Sequence, residues 1–195
     1  MTDGPEGREF ERISGETVWR GHIVRVDRER FRYADGAVVE REIIRHPGAA
    51  GIVAHDDLHV WLVRQPRETV GDPDVLEIPA GKLDIPGEPP VDCARRELAE
   101  EIGKRADSWA PILRYVTSIG VMDEVVHLFH ATGLRPAGAD ARPDPGERIE
   151  VVAWPLDDLD GAIAATVDSK TIIGLQWLRE HLREHGSGGP EDEIA

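Results

Sequence analysis

The chain has 195 residues, 40% of them hydrophobic, enough to bury one substantial core with room for a small extra subdomain. Its net charge of −15 repels a nucleic-acid backbone, whose binding depends on clustered Lys and Arg, so nucleic acid is not an expected partner. No run approaches the roughly 18 apolar residues of a membrane span, the opening residues MTDGPEGREFER carry no apolar signal region, and Cys93 is the only cysteine. A cytoplasmic protein with no membrane partner and no internal disulfide is therefore expected.

Residues 1–12 are polar and read as frayed, and 186–195 (GSGGPEDEIA) read as a flexible acidic tail. From Thr17 to about Arg45 the pattern is strand-like: TVWRGHIVRVDRERFRY alternates, Asp35-Gly36 makes a hairpin turn, and AVVEREIIR returns. After His46-Pro47-Gly48, AAGIVA and HVWLVRQ flank the polar turn His55-Asp56-Asp57, and VLEIPAG follows as a short strand. A helix starts after Pro89-Pro90 and stops at Gly103. Strands are expected around 112–118, 125–131 and 149–154. Helices follow over 156–166 and 169–185, the second capped by Asp168 or Ser169. The predicted organisation is a tail and small antiparallel β unit over 1–45, a main α+β domain over 46–185 with a mixed sheet and helices packed on it, and the tail over 186–195.

Chemistry concentrates in AGKLDIPGEPPVDCARRELAEEIGK, residues 80–104. On the helix, Val91, Ala94, Leu98 and Ile102 form the apolar stripe, while Glu97, Glu100 and Glu101 at i, i+3 and i+4 are read as sharing another face, turned from that stripe. Like charges at i,i+4 cost about 0.2–0.5 kcal/mol per pair, and no lysine inside the helix, which stops at Gly103, stands at the spacing that would compensate them, so a cation is expected there. Oxygen donors on a rigid helix suit Mg²⁺ or Mn²⁺, which keep waters and accept phosphate oxygens in the remaining positions. Cys93, between Asp92 and Ala94, reads as a packed, inert thiol.

The full string, Gly81, Glu88, then Arg96-Glu97-Leu98-x-Glu100-Glu101-x-Gly103, resembles the signature of the Nudix hydrolases. It departs from the usual form in one respect: six residues stand between Gly81 and Glu88 where the family has five, and Pro86-Gly87 offers a turn to absorb the extra one. The resemblance implies an α/β/α Nudix sandwich. It implies that Arg96 pairs with Glu88 to hold the loop against the helix, that Glu97 and Glu101 ligate metal, that Glu100 ligates directly or through water, and that the Ala80 carbonyl is a further ligand. Two or three Mg²⁺ or Mn²⁺ ions per site are expected on this basis.

Similarity extends over about 16–185 through GETVWRGHI, VEREIIRHPGAAGIVA, WLVRQPR, LEIPAGKLD and DSKTIIGLQWL, in the style of the ADP-ribose pyrophosphatase branch. That branch implies hydrolysis of a nucleoside diphosphate derivative, ADP-ribose giving AMP and ribose 5-phosphate, and a homodimer in which the N-terminal β unit reaches the partner's site. A nucleotide-sugar or other Nudix pyrophosphatase, and a non-catalytic sensor of ADP-ribose, are the alternatives. Arg67 is expected at the phosphate or terminal ribose, since its planar fork matches phosphate oxygens. His22 and Arg41 are expected near the adenine. Glu77, a carboxylate inside an apolar strand, must face a pocket or find a partner, and is read as a substrate or supporting group. The resemblance implies a general base on a loop between later strands, where Met122-Asp123-Glu124 stands; Glu124 is the expected base, with Asp123 or a helix glutamate as rival.

Overall fold

A computed structural model describes residues 9–138, 146 and 148–185, so the expectations for residues 1–8 and for the tail 186–195 lie outside the described residues. The chain divides into two compact units, Met1–Gly48 with Tyr115–Val125, and Ala49–Arg114 with Val126–Ala195.

The first unit is a three-stranded antiparallel sheet, β1 (Phe10–Arg20), β2 (Arg25–Tyr33) and β3 (Val38–Arg45), in that order. The alternating run read from Thr17 to Tyr33 is two strands, not one, broken where the Gly21 N–H donates to the Val24 carbonyl at 2.9 Å. The first strand also begins earlier than its polar sequence suggests. Phe10 pairs with Tyr33 across the ladder and sets its ring edge-on to Phe31, 5.6 Å between centroids. Cross-strand partners make this segment a strand where local composition alone does not. Its interior is polar: Asp27 and Glu29 are buried, Arg45 reaches both at 3.1 and 2.9 Å, and Arg12 holds Glu29 at 2.8 Å. The Thr17 hydroxyl, with Arg45 and Arg25, pulls the Asp27 carboxyl down to about 2 against the effect of burial. Tyr115–Val125 joins this unit through backbone bonds from Ile44 N to Val121 O, 2.8 Å, and from Asp123 N to Ile44 O, 3.1 Å. The sequence boundary at 45 had left that segment with the main domain.

The second unit is built on a mixed sheet. Its strands are β4 (Ala49–His55), β5 (His59–Arg67), β6 (Asp72–Glu77), β7 (Ala80–Lys82), β8 (Lys104–Val116), β9 (Val125–Pro136) and β10 (Glu150–Pro155). The main path runs β10-β5-β4-β9-β8, with β6 on β5 and β7 on β4. The VLEIPAG segment is therefore split at Ile78-Pro79, and β8 starts at Lys104, well before the expected 112. β4 is central. It pairs in parallel with β9 from Ala49↔Val126 to Ala54↔Ala131, and in antiparallel fashion with β7 at one end and β5 at the other. Buried on both faces, it reads as a nearly continuous apolar run, as such strands do.

Three helices complete the unit: α1 (Pro90–Ile102), α2 (Leu159–Ala164) and α3 (Ser169–His185). Ala50, Ile52 and Ala54 point toward α1, where they cluster with Cys93, Ala94 and Leu98. Val53, on the opposite pleat, lies against Gly174 of α3. Helices thus cover both faces of the sheet, the α/β/α sandwich expected. No helix among the described residues is long and apolar enough to cross a membrane.

The start of α3 is stitched to the end of β6. Asp168 caps the helix, its carboxylate accepting from Thr171 N at 2.9 Å and from the Thr171 hydroxyl at 2.5 Å. That hydroxyl in turn accepts the Ile78 N–H at 2.8 Å, and Thr166 donates to the Leu76 carbonyl at 2.6 Å. Thr171 is fully buried. Thr171→Val keeps the shape but leaves the Ile78 N–H without its acceptor, and should cost about 1–3 kcal/mol of stability. Denaturant unfolding should show a lower midpoint with an unchanged slope, and an unchanged midpoint would contradict this account.

Candidate active site

The acidic turn of α1 is positioned by backbone contact with β7. Glu97 lies flat against Gly81: a Cβ built on that glycine would fall 1.9 Å from Glu97 Oε1. Glycine is needed here for close approach. One turn further, the Glu101 carboxylate accepts the Ala80 N–H at 3.0 Å. Glu101 is buried, which departs from the expected face turned from the apolar stripe. It follows Ala94 by seven residues, almost two full turns, and so shares the azimuth of the apolar stripe rather than turning from it.

Arg96 gathers the remaining acids. Its Nε donates to Glu88 at 3.2 Å, and its Nη1 to Glu97 at 2.7 Å and Glu100 at 2.9 Å. Burial works against the charge on this guanidinium, but the bonds to Glu88, Glu97 and Glu100 outweigh it and hold the group above arginine's ordinary value. The extra residue before Glu88 is taken up in a turn, with Pro86 followed by Gly87 at φ 81° and a bond from Glu88 N to Ile85 O at 3.1 Å, the type II arrangement. Gly103 ends the helix in the left-handed region, its N–H returning to Ala99 and Leu98. Cys93 is buried, its thiol pushed up to about 12, chiefly by burial, which fits the inert role expected of it.

Glu97, Glu100 and Glu101, beside the Ala80–Gly81 backbone, are an oxygen-only donor set, the chemistry a hard divalent cation takes. Among the described residues no three His, Cys, Asp or Glu side chains converge on one metal position, and Glu97 and Glu100 each pair with Arg96. The donors fit by chemistry.

Arg67 and Glu77 meet directly. Glu77 on β6 is 1% exposed and accepts from Arg67 Nε and, at 2.7 Å, from Nη2. Lys170 at the start of α3 donates to the same carboxylate and lies 3.0 Å from Asp168. Burial raises the Glu77 pKa, yet Arg67 and Lys170 more than offset it, so the group stays ionised. The Arg67 guanidinium is held above its ordinary value, first by its bonds to Glu77 and then, against burial, by the charges of Glu77, Asp168 and Glu101. Lys170 was missed in the sequence, although a carboxylate in an apolar strand announced that some cation had to cover it.

The other candidates belong to the first unit. Arg41 is exposed on β3 and donates to the Glu40 carbonyl at 2.9 Å; His22 is exposed in the bend between β1 and β2. Both oxygens of Asp123 are engaged, by Arg45 at 3.0 Å and by the His46 N–H at 2.9 Å. Glu124 accepts from the Thr117 hydroxyl at 2.8 Å and approaches His46 Nδ1 at 3.3 Å, a nitrogen that already accepts the Gly48 N–H.

The NUDIX domain model matches residues 44–175. The ADP-ribose pyrophosphatase of Mycobacterium tuberculosis (strain ATCC 25618 / H37Rv) is 44% identical over 131 residues, a match that covers 67% of this chain and 63% of that protein, less than two thirds of its length. The methanol dehydrogenase activator of Bacillus methanolicus is 34% identical over 178 residues, 89% of this chain and 95% of that one. The crystal structure of an ADP compounds hydrolase superposes with a TM-score of 0.81 over 94% of this chain and 99% of that one, at 22% identity, which shows a common fold. Nudix hydrolases generally depend on a divalent metal, the chemistry for which the α1 carboxylates are suited. The chain belongs to the NUDIX domain family and is a Nudix hydrolase.

Proposed function

We propose that the enzyme hydrolyses ADP-ribose to AMP and ribose 5-phosphate in the cytoplasm, using Mg²⁺ or Mn²⁺, two or three ions per site, held by Glu97, Glu100, Glu101 and the Ala80 carbonyl. The observation that carries this reading is the pairing of chemistries in the second unit. One turn of α1 gathers metal-type donors, Glu101 on the Ala80 N–H and Glu97 against Gly81, and the same unit holds a guanidinium suited to phosphate, Arg67, fixed by Glu77. The name of the relative at 44% identity supports ADP-ribose as the substrate.

In the reaction, water adds to one phosphorus of the diphosphate, the P–O–P bond breaks, and the proton lost by water passes to a base. Held by Glu97, Glu100 and Glu101, a divalent cation would supply charge neutralisation for the diphosphate and a lower pKa for the attacking water. Arg67 orients the phosphate or the terminal ribose, while Arg41 and His22 take the adenine. Arg96 and Glu88 hold the loop to the helix. Glu124 is the base: its rival Asp123 is committed through both oxygens to Arg45 and His46, whereas Glu124 is held by a neutral hydroxyl. Exposed apolar side chains on the first unit, among them Phe10, Trp19, Ile23 and Ile119 at 64%, 54%, 50% and 92%, support a homodimer formed through this β unit.

Assaying the purified enzyme with Mg²⁺ against ADP-ribose, nucleotide sugars, dinucleotides and nucleoside triphosphates should give the highest kcat/KM with ADP-ribose. Excess chelator should abolish that activity and Mg²⁺ or Mn²⁺ should restore it. A nucleotide sugar as best substrate overturns the substrate, and full turnover in chelator overturns the metal.

Glu101→Gln and Glu124→Gln should fail differently. The first should weaken metal affinity and recover in part at higher Mg²⁺. The second should lower kcat by about 10² to 10⁴ with no rescue by metal. Near wild-type kcat for Glu124→Gln at saturating metal moves the base elsewhere.

Light scattering at micromolar concentration should report a dimer, and loss of residues 1–45 should abolish both dimerisation and substrate binding. A fully active monomer excludes this part of the proposal.

A further inference from the structure

The segment Asp168-Ser169-Lys170-Thr171 has no part in the chemistry above, yet it converges on the same strand end as Arg67. Exposure falls in steps along the chain of contacts: the Arg67 side chain is 41% exposed, Lys170 14% and Glu77 2%. Lys170 is thus largely shut off from solvent, while Arg67 presents one edge outward. Glu77 takes Arg67 Nε and Nη2, which leaves the Nη1 edge of the planar fork for a phosphate. An arginine on a strand end has many rotamers, and a carboxylate gripping two of its nitrogens selects one of them.

We propose that Lys170 is a positioning residue for the substrate's phosphate: through the Glu77 carboxylate it shares with Arg67, it fixes the guanidinium in its binding orientation. This rests on the reading of Arg67 as a substrate contact. Glu77, with both oxygens occupied, supports Arg67 and does not itself touch substrate.

The physical reason lies in charge. Glu77 is enclosed at the junction of β6 and α3, with Asp168 nearby, and Arg67 alone leaves one of these two acids uncompensated. Lys170 makes the count even, two cations for two carboxylates. Without it, a buried acid beside a second acid takes up a proton more readily, and a neutral carboxyl grips a guanidinium less firmly than a carboxylate does. The helix cap made by Asp168, and the bond from Ile78 N to Thr171, keep the ammonium and the strand end at a constant separation. A positively charged side chain in the first turn of a helix goes against the helix dipole. Its presence there is explained by Glu77.

The test uses the full chain with Lys170→Met, Lys170→Arg, Arg67→Ala and the double variant Arg67→Ala/Lys170→Met, assayed with ADP-ribose and Mg²⁺. Lys170→Met should raise KM about tenfold or more while kcat stays within about threefold, and Lys170→Arg should recover most of the KM. In the Arg67→Ala background the same change should add less than about twofold, because the lysine acts through the arginine. A second readout needs no ligand: the Arg67 Nε–H signal in ¹H–¹⁵N NMR should be protected from exchange in the wild type and in Lys170→Arg, and lost in Lys170→Met. Additive effects in the double variant, or an equally protected Arg67 signal without the lysine, overturn the proposal. If the wild type does not turn over ADP-ribose, the substrate assignment fails, and the NMR comparison still decides the coupling of Lys170 to Arg67.

Discussion

Arg96 stands among Glu88, Glu97 and Glu100, and the acidic helix depends on that one cation. Carboxylates at i, i+3 and i+4 repel, and packing the helix on the sheet removes much of the water that would screen them. A guanidinium can answer several acids at once because its donors lie in one rigid plane. Here it closes the loop from Ile85 to Glu88 onto α1 and steadies the turn in which Glu97 lies against Gly81 and Glu101 accepts the Ala80 N–H. Stability and chemistry are therefore coupled at this point: the group that lets the helix fold also sets where its carboxylates stand.

The same solution recurs elsewhere in the chain. Asp27, Glu29 and Glu77 are buried acids in a protein of net charge −15, and each is held by arginine or lysine. Buried ion pairs are a poor source of stability, since desolvation takes back much of what attraction provides. They do specify geometry, because a misplaced partner leaves an enclosed charge unanswered. In the first unit this orders a small sheet with little apolar interior. In the second it holds Arg67 and Lys170 on one enclosed carboxylate, Glu77.

Cys93 and Glu101 show how a single helix divides these tasks. Cys93 faces the core and is chemically silent, its thiolate disfavoured by burial. Glu101 occupies the same apolar side, yet finds the Ala80 N–H at the one place where β7 leaves a backbone donor within reach. A carboxylate held by that N–H has less rotamer freedom, which suits the metal-binding role proposed for it.

Much of the architecture was legible in the residues alone. The Pro-Pro start and Gly103 stop of α1, the doubly apolar β4, and the spacing of Arg96, Glu97, Glu100 and Glu101 are local signals, readable because backbone preference and periodicity act over a few residues. Tertiary structure decided what local signals cannot carry. Phe10 is strand because Tyr33 pairs with it, and Glu101 is buried because β7 supplies a donor. Tyr115–Val125 leaves the main unit because Ile44 binds it. Lys170 and Glu77 stand 93 residues apart, so nothing near either one names its partner. The sequence shows that a carboxylate in an apolar strand needs a cation; only the packing of α3 against β6 determines which one reaches it, because a buried charge is satisfied by proximity in space, whatever the separation along the chain.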